Sequence, residues 1–94
     1  MNRSRLEDIR RFVYIRDSWR CKLCGKPATQ IAHKIAQTKT WIKKYGEAVI
    51  HHPLNMESVC SLACNDACNI GNNPVEREKL VAKIREAIAH ESQY

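Results

Sequence analysis

Apolar positions in the first stretch of the chain recur at helical spacing. Leu6, Ile9, Phe12 and Val13 fall on one face, and Ser4-Arg5-Leu6-Glu7 has the form of a capping box, so a helix is expected from there to about Arg16. Near the other end, Leu80, Val81, Ile84, Ala87 and Ile88 form a second apolar stripe. It is preceded by Asn73 as a cap, Pro74 at the first helical position and Glu76 at the third, which predicts a helix over about residues 74–92. Two short runs between them, Ala28 to Ile35 and Leu54 to Val59, read as strands. Residues 36–53 are polar and basic with a Tyr45-Gly46 break, and are expected to form a long loop with at most one helical turn. A helix beginning near Cys60 would carry Cys64 and Cys68. No repeat, linker or second apolar block interrupts the pattern, so residues 1–94 are read as one domain.

At 94 residues the chain can bury only a thin core, and such chains often need a staple. Its 44% hydrophobic and 28% charged residues, with three Gly and three Pro, exclude disordered and collagen-like classes. No apolar run approaches the ~20 residues that span a bilayer, and the first residues have no apolar signal core; a cytoplasmic protein, neither membrane-bound nor secreted, is the expectation. The charge is uneven. Residues 1–44 hold twelve basic and three acidic side chains, a net of +9, whereas residues 45–94 hold four and seven, a net of −3. A basic half of this kind suits a polyanion, nucleic acid first, with binding that weakens as salt rises.

Five cysteines in a chain expected to stay in a reducing compartment point to metal rather than disulfides. Cys21 and Cys24 form a CxxC turn closed by Gly25. Cys60, Cys64 and Cys68 are spaced by four, as on one helix face. Tetrahedral zinc takes four ligands, so two of this trio complete an all-cysteine site. Cys60 and Cys64 are the preferred pair, with Cys68 the alternative.

In order along the chain come Arg16-Asp17-x-x-Arg20-Cys21-x-x-Cys24-Gly25, Ala32-His33-Lys34-Ile35, Asn55 five residues before Cys60, and Cys64-Asn65. This series resembles the zinc-knuckle HNH endonucleases over roughly residues 11–75. The resemblance implies an α+β fold: a small ββα-metal core stapled by structural zinc and flanked here by N-terminal and C-terminal helices. It implies a metal-dependent endonuclease or nicking enzyme on double-stranded DNA, leaving 5′-phosphate and 3′-hydroxyl ends. His33 would be the general base, Asn55 would orient it, and Asn65 would offer an oxygen to a catalytic Mg2+ or Mn2+. Small standalone proteins of this type are associated with phages and mobile elements.

Other assignments stay open at this point. Ala32 stands where many family members carry a metal-binding Asp or His. A shifted alignment makes His33 the metal ligand and Lys34 the base, and Cys68-Asn69 rivals Cys64-Asn65. His51 or His52 could restore the ligand missing at Ala32, and His52 is the candidate retained for the catalytic ion. The expected DNA-contacting set is Arg16, Arg20, Lys34, Lys39, Lys43 and Lys44, while Arg3, Arg5, Arg10 and Arg11 either follow a DNA backbone or solvate a helix face. Trp19 and Trp41 read as packing and lid residues in preference to base-stacking platforms, and His90 as solvated. The contrasting functional class is a zinc-stapled adaptor that binds nucleic acid without cutting it, for which Ala32 is the reason.

Overall fold

The structure, a computed structural model, describes residues 3–91. Its elements are helix α1 (Arg3–Arg16), strand β1 (Gln30–His33), helices α2 (Lys39–Tyr45) and α3 (Glu47–Ile50), a 3-10 turn (Pro53–Asn55), strand β2 (Met56–Val59), and helices α4 (Leu62–Ala67) and α5 (Pro74–Glu91). This is a small α+β arrangement around a two-stranded antiparallel sheet, with Gln30 opposite Val59, Ile31 opposite Ser58, Ala32 opposite Glu57 and His33 opposite Met56. No helix among the described residues is long and apolar enough to cross a membrane.

Helix α1 is already helical at Arg3, so Ser4 lies inside its first turn and opens no capping box; Glu7 pairs with Arg3 at 3.3 Å instead. Its inner face uses Val13, with Leu6, Ile9 and Tyr14 packed beside Ile31 and Met56. Phe12, expected on that face, is 55% exposed, because Tyr14 takes its place against the sheet. The C-terminus follows a Schellman pattern: Trp19 N–H reaches Tyr14 O at 2.9 Å and Ser18 N–H reaches Ile15 O at 3.0 Å.

The polar stretch 36–53 is mostly helical rather than a loop. Thr38 caps α2 by accepting from the Trp41 N–H, and Gly46, at φ 91, separates α2 from α3. Trp41, Ile42, Tyr45, Val49 and Ile50 form a helical stripe that packs with Ile35 against Val81 and Ile84 of α5. Helix α5 starts as expected, with Asn73 Oδ1 accepting from the Glu76 N–H at 3.1 Å. Arg77 joins it to α2: its guanidinium lies 4.5 Å from the Trp41 ring centre, and its Nε donates to the Tyr45 hydroxyl at 2.8 Å.

Two polar clamps hold the small sheet. Asp17, buried, accepts from the Ser58 N–H at 2.9 Å and from Arg16 Nε at 2.8 Å. Burial resists its ionisation, but these donors prevail and hold its carboxyl below the usual range. Arg16 also donates to Pro53 O at 2.8 Å and Met56 O at 2.7 Å, so the end of α1 is tied to the start of β2. Asn55 is wholly buried; its Oδ1 accepts from the Ile35 N–H at 2.9 Å, and its Nδ2 donates to Ile35 O at 3.0 Å and Ile50 O at 2.8 Å. It thereby closes the 36–53 excursion on both sides.

Replacing Asp17 with Ala should cost about 3 kcal/mol in denaturant unfolding, since it strands a buried N–H and a partly buried guanidinium. The exposed Asp8–Arg11 pair, at 4.0 Å, makes Asp8→Ala a control expected within about 0.5 kcal/mol of the parent. Equal losses for the two variants would contradict the clamp.

Candidate metal centre and histidine cleft

The knuckle is built by a tight reversal. Arg20 and Pro27 form an antiparallel bridge, Cys21 N–H bonds to Lys26 O at 2.7 Å, and Gly25 N–H returns to Cys21 O at 2.9 Å with Gly25 at φ 78. Lys22 N–H then bonds to Ser58 O at 2.9 Å, which places the turn beside the end of β2, where Cys60 sits. Ser61 caps α4 and so turns Cys64 back toward the same point.

The Sγ atoms of Cys21, Cys24, Cys60 and Cys64 all lie within 4.8 Å of one another, with Cys24 and Cys60 at 3.2 Å and Cys60 and Cys64 at 3.8 Å. A tetrahedral ion with sulfurs at about 2.3 Å sets them about 3.8 Å apart, so this cluster could hold a metal ion such as zinc. Burial resists ionisation of Cys21, yet the backbone N–H groups of Cys24 and Leu23 stabilise its thiolate and bring it down to about 6. The Cys24 sulfur, and burial after it, push Cys60 up to about 12. Four thiolates share this space only when a cation neutralises them.

Cys68 is elsewhere. Cys60 follows strand β2 directly and precedes α4, so the three downstream cysteines do not share one helical face, and Cys68 falls at the C-cap of α4. Its thiol donates to Glu57 Oε2 at 3.2 Å, and burial together with that carboxylate pushes it up to about 12. Between the alternatives, the geometry favours Cys64.

His33 ends β1 and, with Ile31, Ala36, Gln37, Asn65 and Asn69, lines a cleft of about 160 Å3. Asn65 reaches it from α4, its Nδ2 donating to Gln30 Oε1 at 3.0 Å. Asn69 lines the same cleft, but its Oδ1 is taken by the Gly71 N–H at 2.7 Å. His51 meets His33 edge to face, ring centres 5.5 Å apart at 83°. Nε2 of His33 and Nδ1 of His51 are enclosed and lack hydrogen-bond partners among the described residues. Burial pushes His33 down to about 4, helped by His51 and Arg10, and burial lowers His51 against the opposing pull of Glu47.

No family model, curated protein or solved structure matches this chain.

The remaining expected site residues divide clearly. Asn55 makes its side-chain hydrogen bonds to Ile35 and Ile50 backbone and none to the His33 ring, so it acts on the segment that follows His33. His52 points away from the cleft: Nδ1 accepts from the Leu54 N–H at 3.1 Å and Nε2 lies 3.1 Å from Glu91 Oε1. Adjacent side chains at the end of α3 diverge, and it is His51 that faces His33; recognising α3 in the sequence would have distinguished them. Ala32 is wholly buried among Cys21, Val59 and Cys68, on the strand face opposite His33. Arg16 is consumed by Asp17 and two carbonyls rather than held out for DNA. Lys34 pairs with Glu57 at 3.2 Å and Lys44 with Glu78 at 3.8 Å. Arg20 is exposed at the knuckle, Lys39 and Lys43 are exposed on α2, and His90 is exposed on α5. Trp41 packs into the core, whereas Trp19 is half exposed.

Two outcomes follow from this geometry. Cys64→Ser should release bound zinc, while Cys68→Ser should retain one zinc per chain; the reverse pattern in metal analysis would refute the ligand set. His33 should remain neutral from pH 7 to 5 by ring-nitrogen NMR, where an unperturbed imidazole of pKa about 6.5 would be mostly protonated by pH 5. Because its folded-state value lies below the unfolded one, its contribution to stability is full above about pH 6.5 and is lost as pH falls toward 4. A midpoint at 6 or above would contradict the burial argument.

Proposed function

We propose that the protein is a metal-dependent endonuclease of the HNH type, hydrolysing phosphodiester bonds in duplex DNA with His33 as general base. The observation that carries this reading is the convergence of the His33 imidazole and the Asn65 amide on one cleft, reached from β1 and α4. The order β1, β2, α4, with a cysteine pair before the first strand and another at the β2–α4 junction, supports the ββα core that the resemblance implies.

The chemistry assigns work to each group. His33 is neutral at pH 7, and because Nε2 is enclosed, Nδ1 is the ring nitrogen left to take a proton from a water in the cleft. The water oxygen bonds to phosphorus as its proton passes to the imidazole, and the P–O bond on the far side breaks, its 3′ oxygen leaving with a proton taken from solvent to give the 3′-hydroxyl. A pKa near 4, set first by burial, makes a weak base, and an anionic phosphate entering the cleft opposes the smaller Arg10 contribution. His51 packs the ring from one side, and Asn55 fixes the backbone immediately beyond it.

With Nδ2 held by Gln30, Asn65 has Oδ1 to offer a hard cation. Among the described residues lining the cleft there is no carboxylate, so the donor set fits a divalent ion that arrives with the phosphate rather than one held in advance. Such an ion, when bound, supplies Lewis-acid polarisation of the scissile phosphate. The exposed Lys39 and Lys43 on α2 begin two residues beyond Gln37 and suit contacts along the DNA backbone. The lack of a carboxylate, with Ala32 buried on the opposite face, is also what favours the second reading, a non-cutting DNA-binding adaptor.

Plasmid nicking with Mg2+ or Mn2+ separates them. The wild type should nick, and His33→Ala should lose roughly 10²–10⁴-fold in rate while retaining zinc and fold. Asn65→Ala should raise the divalent-ion requirement. Wild-type protein that binds duplex DNA but fails to nick with any divalent ion would leave the adaptor.

A further inference from the structure

One exposed aromatic surface is not used by the cleft. Ser18 and Trp19 both lie in the left-handed region, at φ 56 and 59. A Schellman closure needs only one such residue, and for a side chain as bulky as tryptophan the conformation is costly. The second left-handed residue sets the Trp19 ring flat on Tyr14, centroids 4.8 Å apart and planes within 4°. Tyr14 covers one face of the indole, yet Trp19 stays 54% exposed. Beside the stack is an open cleft of about 360 Å3 lined by Glu7, Arg10, Arg11, Tyr14 and Trp19. Glu7 is engaged by Arg3 at 3.3 Å, and Arg11 stands 4.0 Å from Asp8, a long exposed pair that a phosphate could replace.

We propose that this platform is a stacking site for one unpaired nucleobase of a DNA strand, with Trp19 as the stacking surface and Arg10 and Arg11 taking the adjoining phosphate. The inference rests on the nucleic-acid reading above and adds an unpaired base to it. Charge complementarity selects this occupant over an apolar protein surface: two guanidiniums flank a flat π face in the half of the chain that carries a net +9.

The test compares three probes with the zinc-loaded protein: a perfect duplex, the same duplex with one extrahelical base, and the single strand. Affinity is read by anisotropy of a labelled probe and stacking by tryptophan emission. Wild type should favour the probes with unpaired bases over the perfect duplex and show quenched emission with them. Trp19→Ala should lose that preference by roughly 5- to 150-fold, and Trp19→Phe should keep part of it. Trp19→Gly guards against misfolding, because glycine accepts the left-handed backbone that tryptophan strains; it should lose the preference as Trp19→Ala does. Equal affinity for all three probes in wild type, or a preference unchanged in Trp19→Gly, would overturn the proposal. So would concentration-dependent dimerisation abolished by Trp19→Ala, since a second copy would then be the occupant. Nicking plays no part in these readouts: a protein that stacks bases but cuts nothing loses the nuclease reading alone, and one that nicks without a base preference loses only this inference.

Discussion

Four sulfur atoms within 4.8 Å of one another are the constraint on which the rest of this small structure depends. They join the turn before β1 to the junction after β2, with Cys24 and Cys60 separated by 36 positions in the chain. The sheet they brace has two strands of four residues each, and a two-stranded sheet of that size is marginal in water by itself. Among the described residues the apolar core is likewise divided into three small clusters, one beneath α1, one at the knuckle and one under α5. Hydrophobic burial alone gives little margin in such an arrangement, and the thiolates cannot share their space without a cation. A metal ion held by this cluster would therefore couple its binding to folding by charge as well as by chain entropy.

The histidine cleft inherits its geometry from that closure. Antiparallel pairing with β2 sets where β1 ends, hence where His33 stands, and α4 brings Asn65 to the same edge because Ser61 caps it directly after Cys60. Asn55 contributes by fixing the two ends of the α2–α3 excursion, which holds His51 against the His33 ring. Burial first, then His51 and last Arg10, keep the imidazole neutral at the expense of its basicity. In the proposed reaction an incoming phosphate reverses part of that effect, so the base strengthens as substrate binds.

Much of this was legible in the chain. Asn73-Pro74 and the stripe behind it announce α5, α1 ends at Arg16, and both short strands lie within their expected runs. The cysteine spacing led to the four that cluster, with Cys64 preferred and Cys68 left as the alternative; what separates the two is that Cys60 follows a strand directly instead of opening a helix. The α2–α3 region was hidden because its apolar positions, Trp41, Ile42, Tyr45, Val49 and Ile50, are separated by lysines and a glycine that suggest a wet loop. Without α3, nothing in the sequence distinguishes His51 from its neighbour. Arg16 looked like a DNA contact because an arginine beside a metal knuckle is ambiguous until its carbonyl and carboxylate partners are known.

The most direct measurement of the central constraint is zinc-edge X-ray absorption on the purified, folded protein. Four sulfur scatterers at about 2.3 Å, with no nitrogen or oxygen in the inner sphere, are the result expected of Cys21, Cys24, Cys60 and Cys64. A first sphere containing an imidazole nitrogen, or a folded protein without metal, would contradict the account.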